Sequence, residues 1–63
     1  MAGKAHFELF LSIDKSPRFR LRAPNGEIVL QSESYSSREM MEKGIEAIRK
    51  YAREAETQDL IGS

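Results

Sequence analysis

The chain has 63 residues, with ten basic and ten acidic side chains, one histidine and no cysteine. This length allows one domain, and the absence of cysteine excludes disulfides and cysteine-built zinc sites. The balanced charge indicates no general preference for nucleic acid or for an anionic membrane. A domain this small buries only about 60% of the surface that its unfolded chain exposes, so we expect a partner chain to complete its core.

The N-terminal residues 1–5 are predicted to be flexible, since no periodic pattern begins before residue 6. The longest apolar run in the chain is three residues, too short for a membrane-spanning helix or the apolar part of a secretory signal. We therefore expect a cytoplasmic protein with no membrane association.

Residues 6–13 predict the first strand, because their side chains alternate between two faces. One face carries Phe7, Leu9, Leu11 and Ile13. The other face carries His6, Glu8, Phe10 and Ser12. A turn is predicted next, in the cluster Asp14-Lys15-Ser16-Pro17.

Residues 18–23 predict the second strand by the same alternation. Its apolar face carries Phe19, Leu21 and Ala23, and its polar face carries Arg18, Arg20 and Arg22. The sequence Pro24-Asn25-Gly26 is typical of a hairpin turn, so residues 27–33 are predicted to form the third strand.

Two registers are open for this hairpin. A three-residue loop gives the pairs Ala23–Glu27, Leu21–Val29 and Phe19–Gln31. A two-residue loop gives Leu21–Leu30 and Arg22–Val29 instead. We favour the three-residue loop, because in the other register Pro24 would occupy a paired position without an N–H to donate. The favoured register places Phe10, Ile28 and Leu30 on the face away from the helix.

The helix is predicted over residues 37–55. Ser36 and Glu39 form a capping box at its start, and Tyr35 can pack on Met40 just outside it. The apolar stripe of the helix consists of Met41, Gly44, Ile45, Ile48, Ala52 and Ala55. Glycine on this stripe predicts a close approach between helix and sheet. Residues 56–61 leave two interpretations open: a strand that uses Thr57, Leu60 and Ile61, or a disordered tail.

These segments occur in a distinctive order. They comprise Phe7-Glu8-Leu9-Phe10, Phe19-Arg20-Leu21-Arg22-Ala23, Asn25-Gly26, Ser32, Tyr35-Ser36-Ser37 and Gly44-Ile45. The combination resembles the YegP-like family of uncharacterised small bacterial proteins. The resemblance implies an α+β fold, with a single β-β-β-α-β unit over residues 6–61 whose antiparallel sheet carries one helix on one face. It also implies a homodimer with one continuous sheet, in which the C-terminal strands containing Thr57, Leu60 and Ile61 are exchanged.

Two surfaces are candidates for function. The arginine-rich strand face, with Arg18, Arg20, Arg22 and the aromatic Phe10, could bind single-stranded nucleic acid, with His6 nearby. A solvated face is the interpretation we favour, with the arginines paired to Gln31, Glu33 or neighbouring carboxylates. The second candidate is an apolar patch of Phe10, Ile28 and Leu30, for which we favour burial in an interface over a ligand groove.

Enzyme chemistry has little support in the sequence. His6 has no evident acid partner for general base catalysis, and Ser34, Ser36 and Ser37 precede a helix, where serine serves as a cap. The family that the chain resembles has no agreed function, so no catalytic or binding residues carry over. We expect a non-enzymatic structural or interaction module with no cofactor and no metal. A nucleic-acid-binding module is the alternative, and any protein partner other than a second copy is unidentified.

Overall fold

The computed structural model describes residues 3–62. It contains the strands β1 (His6–Leu11), β2 (Pro17–Arg22) and β3 (Ile28–Gln31), followed by the helix α1 (Arg38–Glu54). The strands form one antiparallel sheet in the order β1-β2-β3. The predicted α+β architecture of a three-stranded antiparallel sheet with one helix is confirmed. Residues 1 and 2 of the predicted flexible N-terminus lie outside the described residues.

The β1–β2 connection is a tight turn held by its own backbone. The N–H of Ser12 donates to the carbonyl of Ser16 at 2.9 Å, and the N–H of Lys15 donates to the carbonyl of Ser12 at 2.8 Å. Lys15 has a φ of 67°, a left-handed conformation that lets the chain reverse. Pro17 is the first residue of β2, where a missing N–H is tolerated.

The β2–β3 hairpin begins with the predicted three-residue loop. The N–H of Ala23 donates to the carbonyl of Glu27 at 2.8 Å, and Gly26 has a φ of 90°. The ladder then pairs Arg22 with Ile28. Next to this pair lies a β-bulge, after which the ladder partners are Leu21–Leu30 and Arg20–Gln31.

The bulge overturns part of the predicted register. The pairs Leu21–Val29 and Phe19–Gln31 are wrong, because Val29 is an additional residue opposite β2. One inserted residue moves every later side chain to the opposite face. Leu30 consequently lies on the helix side and packs on the core, so its predicted place on the opposite face is also wrong. Burial of this leucine is the physical gain that the bulge provides.

The helix and its N-cap each begin one residue later than predicted. Ser37, not Ser36, is the N-cap, and its Oγ accepts a hydrogen bond from the N–H of Met40 at 3.2 Å. The sequence suggested that Tyr35 can pack on Met40, and the structure places Tyr35 against the core. Its ring stacks on that of Phe19, with centroids 5.9 Å apart, because this position buries the ring against the core.

The core is small. Among residues 3–62, three side chains are buried, those of Phe19, Met41 and Ile45. They are surrounded by partly buried neighbours, which are Phe7, Leu30, Tyr35 and Ile48. The close approach predicted at Gly44 is made by a tyrosine ring rather than a strand, since a Cβ added at Gly44 would lie 2.9 Å from Cζ of Tyr35. Full burial of one large apolar side chain contributes about 1.5–3 kcal/mol, so three such side chains make a thin core.

Much apolar surface stays outside this core. The exposed large apolar side chains are Leu9, Leu11, Ile13, Ile28, Val29, Met40, Tyr51, Leu60 and Ile61. The structure describes residues 55–62 without helix or strand, and all of them are exposed. The radius of gyration is 13.9 Å. A compact chain of this length would have about 10.6 Å, so the molecule is extended. None of its described helices is long and apolar enough to cross a membrane.

Candidate functional site

The sheet face away from the helix gathers the predicted arginine residues. Pairing of β1 with β2 places His6 opposite Arg22, Glu8 opposite Arg20, and Phe10 opposite Arg18. These six side chains form what we call the arginine face. The structure therefore brings together all four residues of the predicted binding surface, Phe10, Arg18, Arg20 and Arg22, and adds an acidic residue among them.

Glu8 lies at the centre of the arginine face. Its Oε1 accepts hydrogen bonds from Nε of Arg20 at 2.7 Å and Nε of Arg22 at 2.9 Å. The three side chains are 28–31% exposed, so solvent screens these ion pairs only in part. The Arg20 hydrogen bond, followed by those from Arg22 and His6, lowers the pKa of Glu8 to about 2. Glu8 therefore stays ionised far below neutral pH and ties β1 to β2.

His6 is held at the edge of the same cluster. Its Nδ1 lies 2.9 Å from the carbonyl oxygen of Lys4, and its Nε2 lies 3.0 Å from Oε2 of Glu8. The Lys4 carbonyl, and then the Glu8 carboxylate, raise the pKa of His6, because each accepts a hydrogen bond from a protonated ring nitrogen. The expectation that His6 lacks an acid partner is wrong. The arrangement favours a charged imidazolium, which is a poor general base.

Phe10 is covered by cations. The guanidinium carbon of Arg20 lies 4.5 Å from the centroid of its ring, and that of Arg18 lies 5.7 Å away. Arg18 in turn donates to the carbonyl of Ser32 from Nε at 3.0 Å and from Nη2 at 2.8 Å. Cation–π contacts of this kind occupy the ring face that a nucleobase would stack on.

The arginine face therefore serves first as a cross-strand connection. Its partners are Glu8, which is one of the neighbouring carboxylates that the sequence suggested, and the carbonyls of Ser32 and Gly26. The sequence places Glu8 on the same strand face as His6 and Phe10. Its role as the partner of the arginines could not be predicted without the β1–β2 register. Binding of nucleic acid to this face stays a prediction. Within residues 3–62, no group of three or more histidine, aspartate or glutamate side chains is placed to hold a metal ion.

The predicted apolar patch does not form. Phe10 lies under the arginines and Leu30 packs on the core, which leaves Ile28 alone at 49% exposure. The residues predicted for strand exchange, Thr57, Leu60 and Ile61, lie in the exposed C-terminal segment.

A different apolar surface lies along the exposed edge of β1, beside the start of α1. It is a shallow hollow of about 150 Å³ between the strand and the start of α1, lined by Leu9, Phe10, Leu11, Pro17, Arg38 and Met41. We call it the β1 groove. Leu9 is 42% exposed and Leu11 65% exposed, because α1 packs over β2 and leaves the C-terminal end of β1 uncovered. Strand alternation predicted which face these leucines occupy, but it did not predict that the helix would leave them exposed.

Comparison with known proteins places this fold in a family. The domain of unknown function DUF1508 matches residues 13–59. A UPF0339 protein of Treponema denticola is 44% identical over 55 residues, which cover 87% of this chain and 91% of the relative. The UPF0339 protein YegP of Escherichia coli is 51% identical over 49 residues, which cover 78% of this chain and 43% of YegP. The chain thus spans less than half the length of YegP.

A solved structure shows the same fold. The NMR solution structure of a protein from Haloferax volcanii superposes with a TM-score of 0.78 at 34% identity, covering 90% of this chain and 97% of that one. The descriptions of these relatives indicate no specific biochemical function. Taken with the fold, they show that the chain belongs to the UPF0339, or YegP-like, family of uncharacterised proteins.

Proposed function

We propose that this protein is a small non-enzymatic structural or interaction module that works as a homodimer with exchanged C-terminal segments. The observation that carries the proposal is the exposure of apolar side chains beside so small a core. Leu11 is 65% exposed, Leu60 83% and Ile61 96%, whereas three side chains in the described part of the chain are buried. A second copy of the chain would remove such surfaces from water.

Burial of exposed apolar side chains would provide a driving force for association of two copies. Burial of Leu60 and Ile61 in both copies would contribute about 6–12 kcal/mol before the cost of association. A dissociation constant of about 1 μM corresponds to about 8 kcal/mol. Association itself costs about 4–15 kcal/mol, so these two side chains do not suffice alone, and a micromolar dimer would also require burial of other exposed apolar side chains such as Leu9 and Leu11.

A non-enzymatic role is supported by the hydrogen bonds of the side chains that could act as a general base or a nucleophile. His6 is held between the Lys4 carbonyl and Glu8. The hydroxyl of Ser37 caps the helix, and that of Ser32 accepts from the N–H of Phe19 at 3.0 Å. Each of these groups has a structural task.

Removal of the C-terminal segment tests the proposal. We expect a chain that ends at Ala55 to be monomeric and to unfold at a lower urea concentration than the full chain, because it lacks Leu60 and Ile61. The matched control replaces Gln58 and Asp59 with alanine, which keeps the length of the chain, Thr57 and both apolar side chains. A shortened chain that stays dimeric and equally stable would contradict the proposal.

A further inference from the structure

We propose that the arginine face binds an acidic segment of a partner protein, held in an extended conformation by guanidinium nitrogens of Arg20 and Arg22. The occupant is a peptide in which glutamate or aspartate side chains recur at alternate positions. Such a peptide would be a partner for the interaction role proposed above, on which this assignment rests. The exchange of C-terminal segments is not required for it.

The arginine face is not covered by the helix. α1 packs on the opposite side of the sheet, where Met41 and Ile45 form the core with Phe19. The side chains of Arg20 and Arg22 are 28% and 29% exposed, so solvent reaches both of them. A second molecule could therefore contact this face without displacing α1.

Several guanidinium nitrogens on this face have no hydrogen-bond acceptor within residues 3–62. Arg20 donates to Glu8 from Nε, which leaves its Nη1 and Nη2 without an acceptor in this part of the chain. Arg22 donates from Nε to Glu8 and from Nη1 to the carbonyl of Gly26 at 2.6 Å, which leaves its Nη2. Hydrogen bonds between a guanidinium and a carboxylate are about twice as strong as those between neutral groups. These nitrogens are therefore suited to carboxylates supplied by another chain.

Contacts within the protein already hold the two guanidinium groups in place. Glu8 accepts from the Nε of both arginines, and the guanidinium carbon of Arg20 lies 4.5 Å from the centroid of the Phe10 ring. Side chains that are ordered before binding lose less rotamer freedom when a partner binds. Three arginines share the face with one glutamate, so a surplus of positive charge remains to attract an anionic partner.

The spacing of the arginines matches that of an extended peptide. Arg18, Arg20 and Arg22 occupy alternate positions of β2, so successive arginines lie about 6.6 Å apart along the strand. Carboxylates at alternate positions of an extended peptide have the same separation. Neighbouring arginines could therefore each contact a carboxylate of the same peptide.

Single-stranded nucleic acid fits this face less well than an acidic peptide does. Such nucleic acids gain much of their binding energy when bases stack on aromatic rings. The ring of Phe10 is already covered by Arg18 and Arg20. The charge of the whole chain is balanced, so it provides no long-range attraction for a long polyanion. A short carboxylate peptide requires neither stacking nor a basic protein.

Binding of synthetic peptides to the full chain tests the chemistry of the partner. The probe is a fluorescent peptide of about eight residues, slightly longer than β2, in which glutamate alternates with serine. The matched control peptide has glutamine in place of glutamate. At low ionic strength we expect the glutamine peptide to bind about tenfold more weakly, or less tightly still. Equal binding of the two peptides, no binding of either, or tighter binding of a single-stranded oligothymidylate of equal length would overturn the proposal.

A pair of substitutions that remove one positive charge each tests the location. Arg22→Gln changes the arginine face and leaves the Arg20–Glu8 ion pair, and Arg53→Gln is the matched control in the last turn of α1. We expect Arg22→Gln to weaken binding of the glutamate peptide about fivefold or more, and Arg53→Gln to weaken it about twofold or less. Equal losses, or a larger loss for Arg53→Gln, would overturn the assignment to this face.

NMR titration of the unmodified protein gives a test that does not depend on how the variants fold. We expect the glutamate peptide to shift the side-chain N–H signals of Arg20 and Arg22 more than those of Arg49 and Arg53 on α1. The opposite order would overturn the assignment. The mass of the same samples separates this result from the exchange proposed above: a monomer that binds the peptide through Arg20 and Arg22 supports the arginine face and contradicts the exchange, whereas a dimer that does not bind it overturns the arginine face alone.

Discussion

At the scale of single residues, Glu8 carries the most consequence. Its carboxylate accepts from Arg20 and Arg22 of β2 and contacts His6 of its own strand. In the sequence, the alternating arginines suggest a binding surface. In the structure, their hydrogen bonds to Glu8 connect β1 with β2. These ion pairs are not buried, because each of the four side chains remains partly in contact with solvent.

The pH dependence of stability tests this role. The pKa of Glu8 falls from 4.5 to about 2 on folding, so its ionised form stabilises the fold at any pH above 4.5. That contribution declines as the pH falls from 4.5 towards 2. We expect Glu8→Gln to lower the urea midpoint at pH 7 and to reduce the loss of stability over this acidic range.

The matched control is Glu42→Gln, which removes a carboxylate from an exposed ion pair with Arg38 at 2.8 Å. Exposed pairs of this spacing contribute about 0.3–0.5 kcal/mol, so this variant should follow the wild-type pH profile closely. Identical acid profiles for Glu8→Gln and the wild type would contradict the bridging role. All proteins are compared at one concentration, because dimerisation also affects stability.

At the scale of secondary-structure elements, the features that depend on neighbouring residues were predicted from the sequence, and those that depend on residues far along the chain were not. Alternation and turn chemistry were enough to predict three strands, a hairpin loop and a helix, because these depend on neighbours in sequence. The bulge at Val29 was not predictable in this way, since its gain is the burial of Leu30 against Met41 and Ile45, which are far along the chain. The pairing of Glu8 with Arg20 likewise needed the register of another hairpin.

The helix cap provides a test at this scale. Ser37→Ala should destabilise the protein by about 0.5–2 kcal/mol, because the N–H of Met40 loses its acceptor. The neighbouring Ser36→Ala is the control, and we expect its effect to be within about 0.5 kcal/mol of the wild type. Urea unfolding followed by circular dichroism measures both. A larger loss for Ser36→Ala would restore the capping box predicted from sequence.

At the scale of the whole molecule, the chain has a thin core and unused apolar surface. Phe19, Met41 and Ile45 are buried, while the β1 groove and the C-terminal segment are both exposed. The small size of the chain predicted a need for a partner. The proposed form of that partnership, an exchange of C-terminal segments, is what the resemblance to the family implies.

The mass of the full chain in solution tests the central claim most directly. Sedimentation equilibrium at micromolar concentration should return twice the 7.2 kDa mass of one chain, with dissociation on dilution that tracks loss of folded structure. A folded species with the mass of a single chain throughout that concentration range would contradict the exchanged homodimer.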